Sequence, residues 1–285
     1  MNSIKYLFQF VIVIFLFLIF KLLGLKFSSY ISGKLFQIVG PFFRSKKIIE
    51  LNLKNVYPEL DLRNKKKIIN GMWNNYGRVF AEYIFIKDFR KNKYENIIIE
   101  GKEVLDQIKK DKKQVIFISG HFGNFELMAM EIEKSGISLA AIYRPLNNIF
   151  LNKVMETIRK DYICENQIKK GVGGLKNLMK LIKKNFSIAL MLDQRVSEGI
   201  KVNFFKKEAY TTTIPAQLVK KFDLPIVPVS IKRYENVKFK MTIHQPVNFK
   251  ETETIEIITE KLNKILEKMV IENPQEWIWT HNRWK

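Results

Sequence analysis

The N-terminal 25 residues hold an apolar run that is long enough to cross a lipid bilayer. Residues 7–20 are apolar except for Gln9, and extension to Leu25 gives 19 residues. At about 1.5 Å of rise per residue, a helix of this length reaches roughly 28 Å, close to the thickness of a hydrocarbon core. A cleaved signal peptide is the alternative, but lysines follow the run where a small-x-small cleavage site would be needed. We therefore expect a retained transmembrane anchor over residues 1–26.

The residues around this anchor are basic. The first 49 residues contain seven Lys or Arg and no acid, and only Lys5 precedes the apolar run. Because basic residues favour the cytoplasmic side of a membrane, we expect a single pass and a cytoplasmic body. Residues 27–43 mix apolar and basic positions, as an interfacial helix does. They begin a helical, membrane-associated region that we place over residues 27–95.

The composition predicts a folded and strongly basic body. Of the 285 residues, 47% are hydrophobic and 13% are aromatic, which excludes an intrinsically disordered chain. A single cysteine, Cys164, excludes an internal disulfide framework and a cysteine-rich zinc site. Lys and Arg number 49 against 28 Asp and Glu, which gives a formal net charge of +21. This charge implies an anionic partner, and nucleic acid, a membrane surface or an acidic protein would each satisfy it.

Strand-like and helical segments alternate after residue 96. A helical region over residues 44–86, interrupted near Pro58, comes first. The strand-like runs are residues 97–100, 115–119, 138–143, 187–192, 226–231 and 239–243. The helical patterns are residues 125–134, 149–160, 174–184, 215–222 and 255–271. This alternation predicts an α/β domain over residues 96–285, with a sheet covered by helices on both faces.

The most specific chemical signal is a histidine between two glycines, His121, at the end of the second strand-like run. Five positions later, Glu126 opens a helical pattern. Residues five apart in one helix lie about 140° apart around its axis, so the two side chains meet only if His121 precedes the helix. Glu126 would then orient the imidazole and stabilise it when it accepts a proton. The alternative is a loop histidine and a helix-start carboxylate with no shared role.

The surroundings of His121 indicate a general base that acts on a substrate. No serine or cysteine stands in a nucleophile-elbow pattern, so the proton that His121 would accept belongs most simply to a substrate hydroxyl. No second histidine or cysteine stands at ligand spacing, and we expect neither a metal nor a cofactor.

The sequence around His121 resembles the bacterial lipid A biosynthesis lauroyl/myristoyl acyltransferases, a family of the lysophospholipid acyltransferase-like superfamily. The block His-Phe-Gly-Asn-Phe-Glu over residues 121–126 carries the resemblance. Further similar blocks follow the family's order along the chain, at residues 73–78 before Glu82, 143–148, 191–195, 226–229 and 274–285. The similarity covers nearly the whole chain, including the N-terminal anchor.

The resemblance implies a fold, a reaction and roles for particular residues. The fold would be a glycerolipid acyltransferase-like mixed sheet, flanked by helices on both faces and preceded by a membrane helix. His121 would be the general base and Glu126 its orienting carboxylate. A hydroxyl on a 3-hydroxyacyl chain of a lipid A precursor would attack an acyl thioester on acyl carrier protein, with direct transfer to the acceptor. Arg144 and Asn147 would lie by the site and help to hold the thioester oxygen or a phosphate. The same cleft would be lined by Asp193, Gln194 and Arg195.

The same resemblance implies lipopolysaccharide biosynthesis at the bacterial inner membrane, with the catalytic domain on the cytoplasmic side. A phosphorylated glycolipid, an acidic carrier protein and an anionic membrane would all be attracted to the basic body. Two alternatives stay open: an acyltransferase for a lysophospholipid or another glycolipid, and a non-catalytic, membrane-tethered binding protein. Nucleic acid is not an expected partner, because the chain carries no nucleic-acid motif. Arg144 in an ordinary surface ion pair and Asp193 as a helix cap are the structural alternatives for those residues.

Overall fold

A helical N-terminal third precedes an α/β domain. The computed structural model describes residues 2–93 and 95–285. Its helices are α1 (Asn2–Leu23), α2 (Leu25–Phe43), α3 (Lys46–Val56), α4 (Leu62–Glu82), α5 (Ile86–Arg90), α6 (Lys102–Lys110), α7 (Glu126–Lys134), α8 (Ile149–Tyr162), α9 (Val172–Lys183), α10 (Ile214–Phe222) and α11 (Ile255–Glu272), with a 3₁₀ turn at Tyr83–Phe85. Its strands are β1 (Ile97–Glu100), β2 (Ile116–Ser119), β3 (Leu139–Tyr143), β4 (Asn166–Lys169), β5 (Ser187–Met191), β6 (Ile200–Phe204), β7 (Lys207–Thr211), β8 (Ile226–Glu235) and β9 (Lys238–Ile243).

The main sheet is mixed, as predicted. Its seven strands lie in the order β1-β9-β8-β2-β5-β3-β4, and β6 and β7 form a separate antiparallel hairpin. Within the main sheet only β8 and β9 pair antiparallel, and the other neighbours are parallel. Parallel neighbours need crossover connections, and the intervening helices cover both faces of the sheet. The predicted α/β class and flanked mixed sheet are therefore confirmed.

The register between β2 and β5 positions the site. All residues of β2, Ile116–Ser119, are buried, which is typical of a central parallel strand. Ser119 at its end pairs with Met191 at the end of β5. Carboxyl ends of neighbouring parallel strands share one edge of a sheet, where ligands bind in α/β folds. Residues 121 and 193, each two positions beyond these ends, are thereby brought together.

Small residues let α2 pack closely on α4. A Cβ atom on Gly77 would lie 2.1 Å from the carbonyl oxygen of Ser32, and one on Gly40 would lie 2.3 Å from the ring of Trp73. The hydroxyl of Ser32 also donates a hydrogen bond of 2.7 Å to the carbonyl of Gly77. These contacts hold α2 close against α4 within the helical region.

Helix α1 is long and apolar enough to cross a membrane. Its segment Ser3–Leu23 has a mean hydropathy of 2.6. One face of the helix packs on the body, where Phe17 and Phe20 are buried. The predicted membrane helix is thus present as a helix of suitable length and composition.

Candidate active site

His121 lies in the loop between β2 and α7, with its side chain 19% exposed. The loop depends on its two glycines. A Cβ on Gly120 would lie 2.7 Å from the ring of Phe122 and 2.9 Å from Leu266, and Gly123 has a φ of 48°. A larger residue at position 120 has no room, and the left-handed backbone at position 123 favours glycine. The chain therefore bends sharply here and presents His121 before the helix begins.

Asp193 orients the imidazole of His121. Its Oδ1 atom lies 2.7 Å from Nδ1 of His121, and its Oδ2 atom accepts a 2.9 Å bond from the backbone N–H of the same residue. Trp277 Nε1 donates a further hydrogen bond of 3.0 Å to Oδ2. A fully buried, ionised carboxylate only accepts hydrogen bonds, so Nδ1 carries the proton and the lone pair of Nε2 is free. Nε2 has no hydrogen-bond partner within residues 2–93 and 95–285, and the ring lines a cleft.

Glu126 makes a different contact from the one predicted. Its two oxygens accept hydrogen bonds of 3.0 and 3.2 Å from Nε of Arg159 on α8, and Nη2 of Arg159 donates a third. The prediction that Glu126 holds the imidazole is therefore corrected, because Asp193 occupies that role and Glu126 is paired elsewhere. Glu126 still acts on His121 through its charge, which raises the pKa of the imidazole.

The electrostatics of the pair favour a basic imidazole. Burial by itself lowers the pKa of His121, but the charge and hydrogen bond of Asp193, helped by Glu126, outweigh burial and raise the pKa above its ordinary value. Burial would raise the pKa of Asp193, yet the charge of His121 and the hydrogen bonds from His121 and Trp277 hold it below its usual range. Asp193 therefore stays ionised and supports a positive charge on His121.

The cleft beside His121 has a volume of about 580 Å³ and both polar and apolar walls. Of the predicted site residues, Arg144, Asn147 and Gln194 line it together with His121 and Glu126. Arg144 is exposed and has no hydrogen-bond or ion-pair partner in the described part of the chain, so the alternative of an ordinary surface ion pair is not what the structure shows. The apolar wall consists of Phe125, Ala129, Ala141, Ile142, Met155, Ile163, Ala189, Leu190 and Met191.

Arg195 does not line this cleft in the described part of the chain, contrary to the prediction. Its backbone N–H donates a 2.7 Å hydrogen bond to Nε2 of His281, and its guanidinium binds the carbonyl of Lys285 at 2.9 Å. Burial lowers the pKa of His281 to about 4, so this second histidine is neutral at physiological pH. Arg195 thus fastens the C-terminal segment beside the cleft.

Several residues of the site were given no role in it by the sequence analysis. They are Arg44, Tyr76, Arg159, Lys170, Trp277 and His281. Arg159 lies 33 positions from its partner Glu126, in an otherwise ordinary amphipathic helix. A basic residue on a helix gives no local indication of a partner that is distant in the sequence. Only the fold identifies Glu126 as the partner of Arg159.

A buried ion pair supports the loop from behind. Glu82 at the end of α4 is fully buried, and its oxygens lie 2.6 and 3.0 Å from the guanidinium nitrogens of Arg233 on β8. Asn124 of the loop donates a 3.0 Å hydrogen bond to Oε2 of Glu82, and Ser29 of α2 donates a 2.7 Å bond to Oε1. The helical layer and the sheet therefore both hold the segment that separates His121 from Glu126.

Among the residues that the structure describes, no group of three His, Cys, Asp or Glu side chains is arranged to hold a metal ion. The site instead combines one imidazole, one carboxylate bound to it and one carboxylate–guanidinium pair. Such a set is chemically able to accept a proton from a bound hydroxyl at His121.

Comparisons with known proteins show the family of the chain. The profile of the family described as bacterial lipid A biosynthesis acyltransferase matches residues 2–285. The lipid A biosynthesis lauroyltransferase of Escherichia coli (strain K12) is 23% identical over 251 residues, which cover 85% of this chain and 79% of that protein. The lipid A biosynthesis palmitoleoyltransferase of the same strain is 21% identical over 267 residues, which cover 90% of this chain and 84% of that protein. The lipid A biosynthesis myristoyltransferase of the same strain is 21% identical over 262 residues, which cover 89% of this chain and 80% of that protein. A match over the whole described length shows that the chain is an acyltransferase and belongs to the bacterial lipid A biosynthesis acyltransferase family.

Proposed function

We propose that this protein transfers a fatty acyl chain from acyl-acyl carrier protein to a hydroxyl of a lipid A precursor and so completes an acyloxyacyl chain. The single observation that carries the proposal is the free Nε2 of His121 at the wall of a partly apolar cleft. The family match supports acyl transfer in lipid A biosynthesis as the reaction in which this base acts.

In this reaction, Nε2 of His121 accepts the proton of the acceptor hydroxyl. The hydroxyl oxygen forms a bond to the thioester carbon, the carbon–sulfur bond breaks, and the leaving sulfur receives the proton from Nε2. During this exchange the imidazolium is stabilised by Asp193 at 2.7 Å and by the nearby charge of Glu126. The protein itself forms no covalent bond to the acyl chain.

The two kinds of wall suit the two parts of the substrate. The apolar wall suits the acyl chain, because burial of hydrocarbon is favourable by about 0.8 kcal/mol per methylene group. The exposed residues Arg44, Arg144 and Lys170 line the cleft, and none has an ion-pair partner in the described part of the chain. Unpaired cations suit a phosphate, whether on the lipid A precursor or on the prosthetic arm of the carrier protein. Asn147 and Gln194 would add neutral hydrogen bonds.

The net charge and α1 support the proposed location. A net charge of +21 attracts an anionic membrane and an acidic carrier protein. The basic residues that flank α1 favour the cytoplasmic side of the bacterial inner membrane, because the cytoplasmic leaflet carries the anionic lipids that attract such segments.

The direct test is a transfer assay with the purified full-length chain in detergent micelles. The donor is radiolabelled acyl-acyl carrier protein, and the acceptor is a tetra-acylated lipid A precursor. We expect the acceptor mass to rise by one acyl chain, and we expect a His121→Ala variant to lose this product. Parallel reactions replace the donor with acyl-coenzyme A and the acceptor with a lysophospholipid. Transfer only to the lysophospholipid would contradict the proposed acceptor.

A further inference from the structure

The N-terminal part of α1 is bound to the rim of the cleft. The side-chain amide of Asn148 donates hydrogen bonds of 2.9 Å to the carbonyl of Tyr6 and 3.3 Å to Oε1 of Gln9. The ring of Phe10 lies 5.8 Å from that of Phe150, measured between centroids. Both contacts come from the start of α8, a catalytic-domain helix.

The C-terminal part of α1 is bound to the same body. The rings of Phe17 and Phe20 lie 5.3 and 6.0 Å from the ring of Phe80 on α4. Nζ of Lys21 forms a 3.0 Å ion pair with Asp88 of α5. Between Tyr6 and Lys21 the helix rises roughly 22 Å at about 1.5 Å per residue. The body thus accompanies α1 over most of the roughly 30 Å thickness of a hydrocarbon core.

This length of contact conflicts with a helix that stands upright through the bilayer. If α1 crossed, Tyr6 would lie near the far end of the span, so the part of the body that ends in the start of α8 would have to pass through the hydrocarbon to reach it. Asn147 and Lys153 are exposed there. A charged group at the centre of a bilayer costs at least about 2.5 kcal/mol, and unsatisfied polar groups add to this cost.

The opposite face of α1 is apolar and uncovered. Ile4, Phe8, Val11, Phe15, Leu18 and Leu22 recur at helical spacing and are exposed. On α2, Phe27, Ile38 and Phe42 are exposed apolar side chains as well. We call these nine side chains the outer apolar face. Helix α1 is therefore apolar all round because one side contacts protein and the other is suited to contact lipid.

Exposed lysines close in sequence to the outer apolar face favour an anionic bilayer as its occupant. Lys5, Lys26 and Lys34 are exposed on α1 and α2, where anionic headgroups would lie. Soluble monomers rarely expose apolar patches of more than a few hundred Å². A leaflet with anionic headgroups satisfies both the hydrocarbon and the lysines.

We propose that α1 lies along one leaflet of the membrane, with its outer apolar face in the lipid, and does not cross the bilayer. This inference rests on the membrane location proposed above. The cleft would then open beside the lipid. Leu146 lines the cleft, Leu146 and Ile149 are exposed, and both flank Asn148, which binds α1. A lipid acceptor would reach His121 directly from the leaflet.

The test measures the depth of nitroxide labels along α1 in the full-length chain. Single cysteines replace outer residues, as Ile4→Cys, Val11→Cys, Phe15→Cys, Leu18→Cys and Leu22→Cys. Cys164 is buried and needs no replacement. Vesicles contain phosphatidylethanolamine and phosphatidylglycerol, and depth is read from the relative access of oxygen and a water-soluble nickel complex. Lys250→Cys on an exposed loop is the aqueous control.

We expect the five labels to share one shallow depth of about 5–10 Å. A profile that is deepest near Val11 and returns to water at both ends would show a crossing helix and overturn the inference. Low access of both reagents at all five positions would show a covering protein and would also overturn it. Absence of vesicle binding would instead contradict the proposed membrane location, and the transfer assay in micelles would still test the proposed reaction.

Discussion

Both oxygens of Asp193 bind His121, one at the ring and one at the backbone. The Oδ1–Nδ1 distance is 2.7 Å, and the distance from Oδ2 to the backbone nitrogen is 2.9 Å. One carboxylate therefore fixes the position of the loop and the tautomer of the base. The two residues stand 72 positions apart in the sequence. Their contact is the central feature of the proposed mechanism.

Replacement of Asp193 by Asn should strongly reduce turnover. The amide does not supply two anionic acceptors, so Nδ1 is no longer held as the protonated nitrogen and the imidazolium loses its counter-charge. We expect kcat/KM to fall by about 10²–10⁴-fold, the usual contribution of a positioned base. The assay is acyl transfer in micelles, with the melting temperature measured alongside. A folded Asp193→Asn protein with full activity would exclude Asp193 from the mechanism.

The pH dependence should report the charges around His121. The base must be unprotonated, so the rate should fall as the pH drops through the pKa of His121, which lies above its ordinary value. Glu126→Gln removes a negative charge that raises this pKa. The acid limb of the pH–rate profile, where the rate falls as His121 is protonated, should therefore move to lower pH. His281→Gln is the control, because the pKa of His281 is already about 4 and its loss should leave the limb in place. A limb that shifts upward in Glu126→Gln would contradict this assignment.

The ion pair between Glu82 and Arg233 should contribute to stability. Glu82→Gln leaves the Arg233 guanidinium without a charged partner in a buried site, and breaking such a pair typically costs about 3–5 kcal/mol. The matched control is Glu50→Gln, which breaks a partly exposed 3.6 Å pair with Lys65 and a 4.0 Å pair with Lys46 and should cost about 0–1 kcal/mol. Chemical unfolding in micelles measures both. An equal loss of unfolding free energy in the two variants would mean that the buried pair stabilises the fold no more than the partly exposed pair does.

The apolar wall should set how well long acyl chains fit. Ala141 and Ala189 face each other on β3 and β5, and both line the cleft. Ala189→Leu fills part of that space, so kcat/KM should fall by about 10-fold or more for long chains and less for short ones. Ala189→Gly enlarges the cleft and should spare long chains. An equal loss for every chain length in Ala189→Leu would mean that the acyl chain binds elsewhere.

The sequence predicted the local features of the site. A buried strand, two glycines around His121 and a helix after it are signals within one short segment, and the structure confirms each of them. The partner of His121 could not be derived in this way. The contact with Asp193 depends on β2 and β5 being neighbours in register, a long-range pairing that local patterns do not encode. Proximity in the sequence and the resemblance of the block over residues 121–126 favour Glu126, whereas only the fold brings Asp193 to the imidazole.

Two missed elements have physical reasons. Strand β4, Asn166–Lys169, is an edge strand rich in polar residues and lacks the apolar pattern of the other strands. The β6–β7 hairpin turns at Phe205 and Lys206, with φ of 53° and 59°. Such a turn normally uses Asn and Gly, so Phe205 and Lys206 carry no local turn signal.

The most direct measurement of the central claim is a double-mutant cycle of His121→Ala and Asp193→Asn, read as kcat/KM for acyl transfer. If Asp193 acts only through His121, the double variant should lose about as much activity as His121→Ala alone, because residues that work as one unit are not additive. Losses that multiply would show independent roles and contradict the account, as would near-normal turnover by a folded His121→Ala protein.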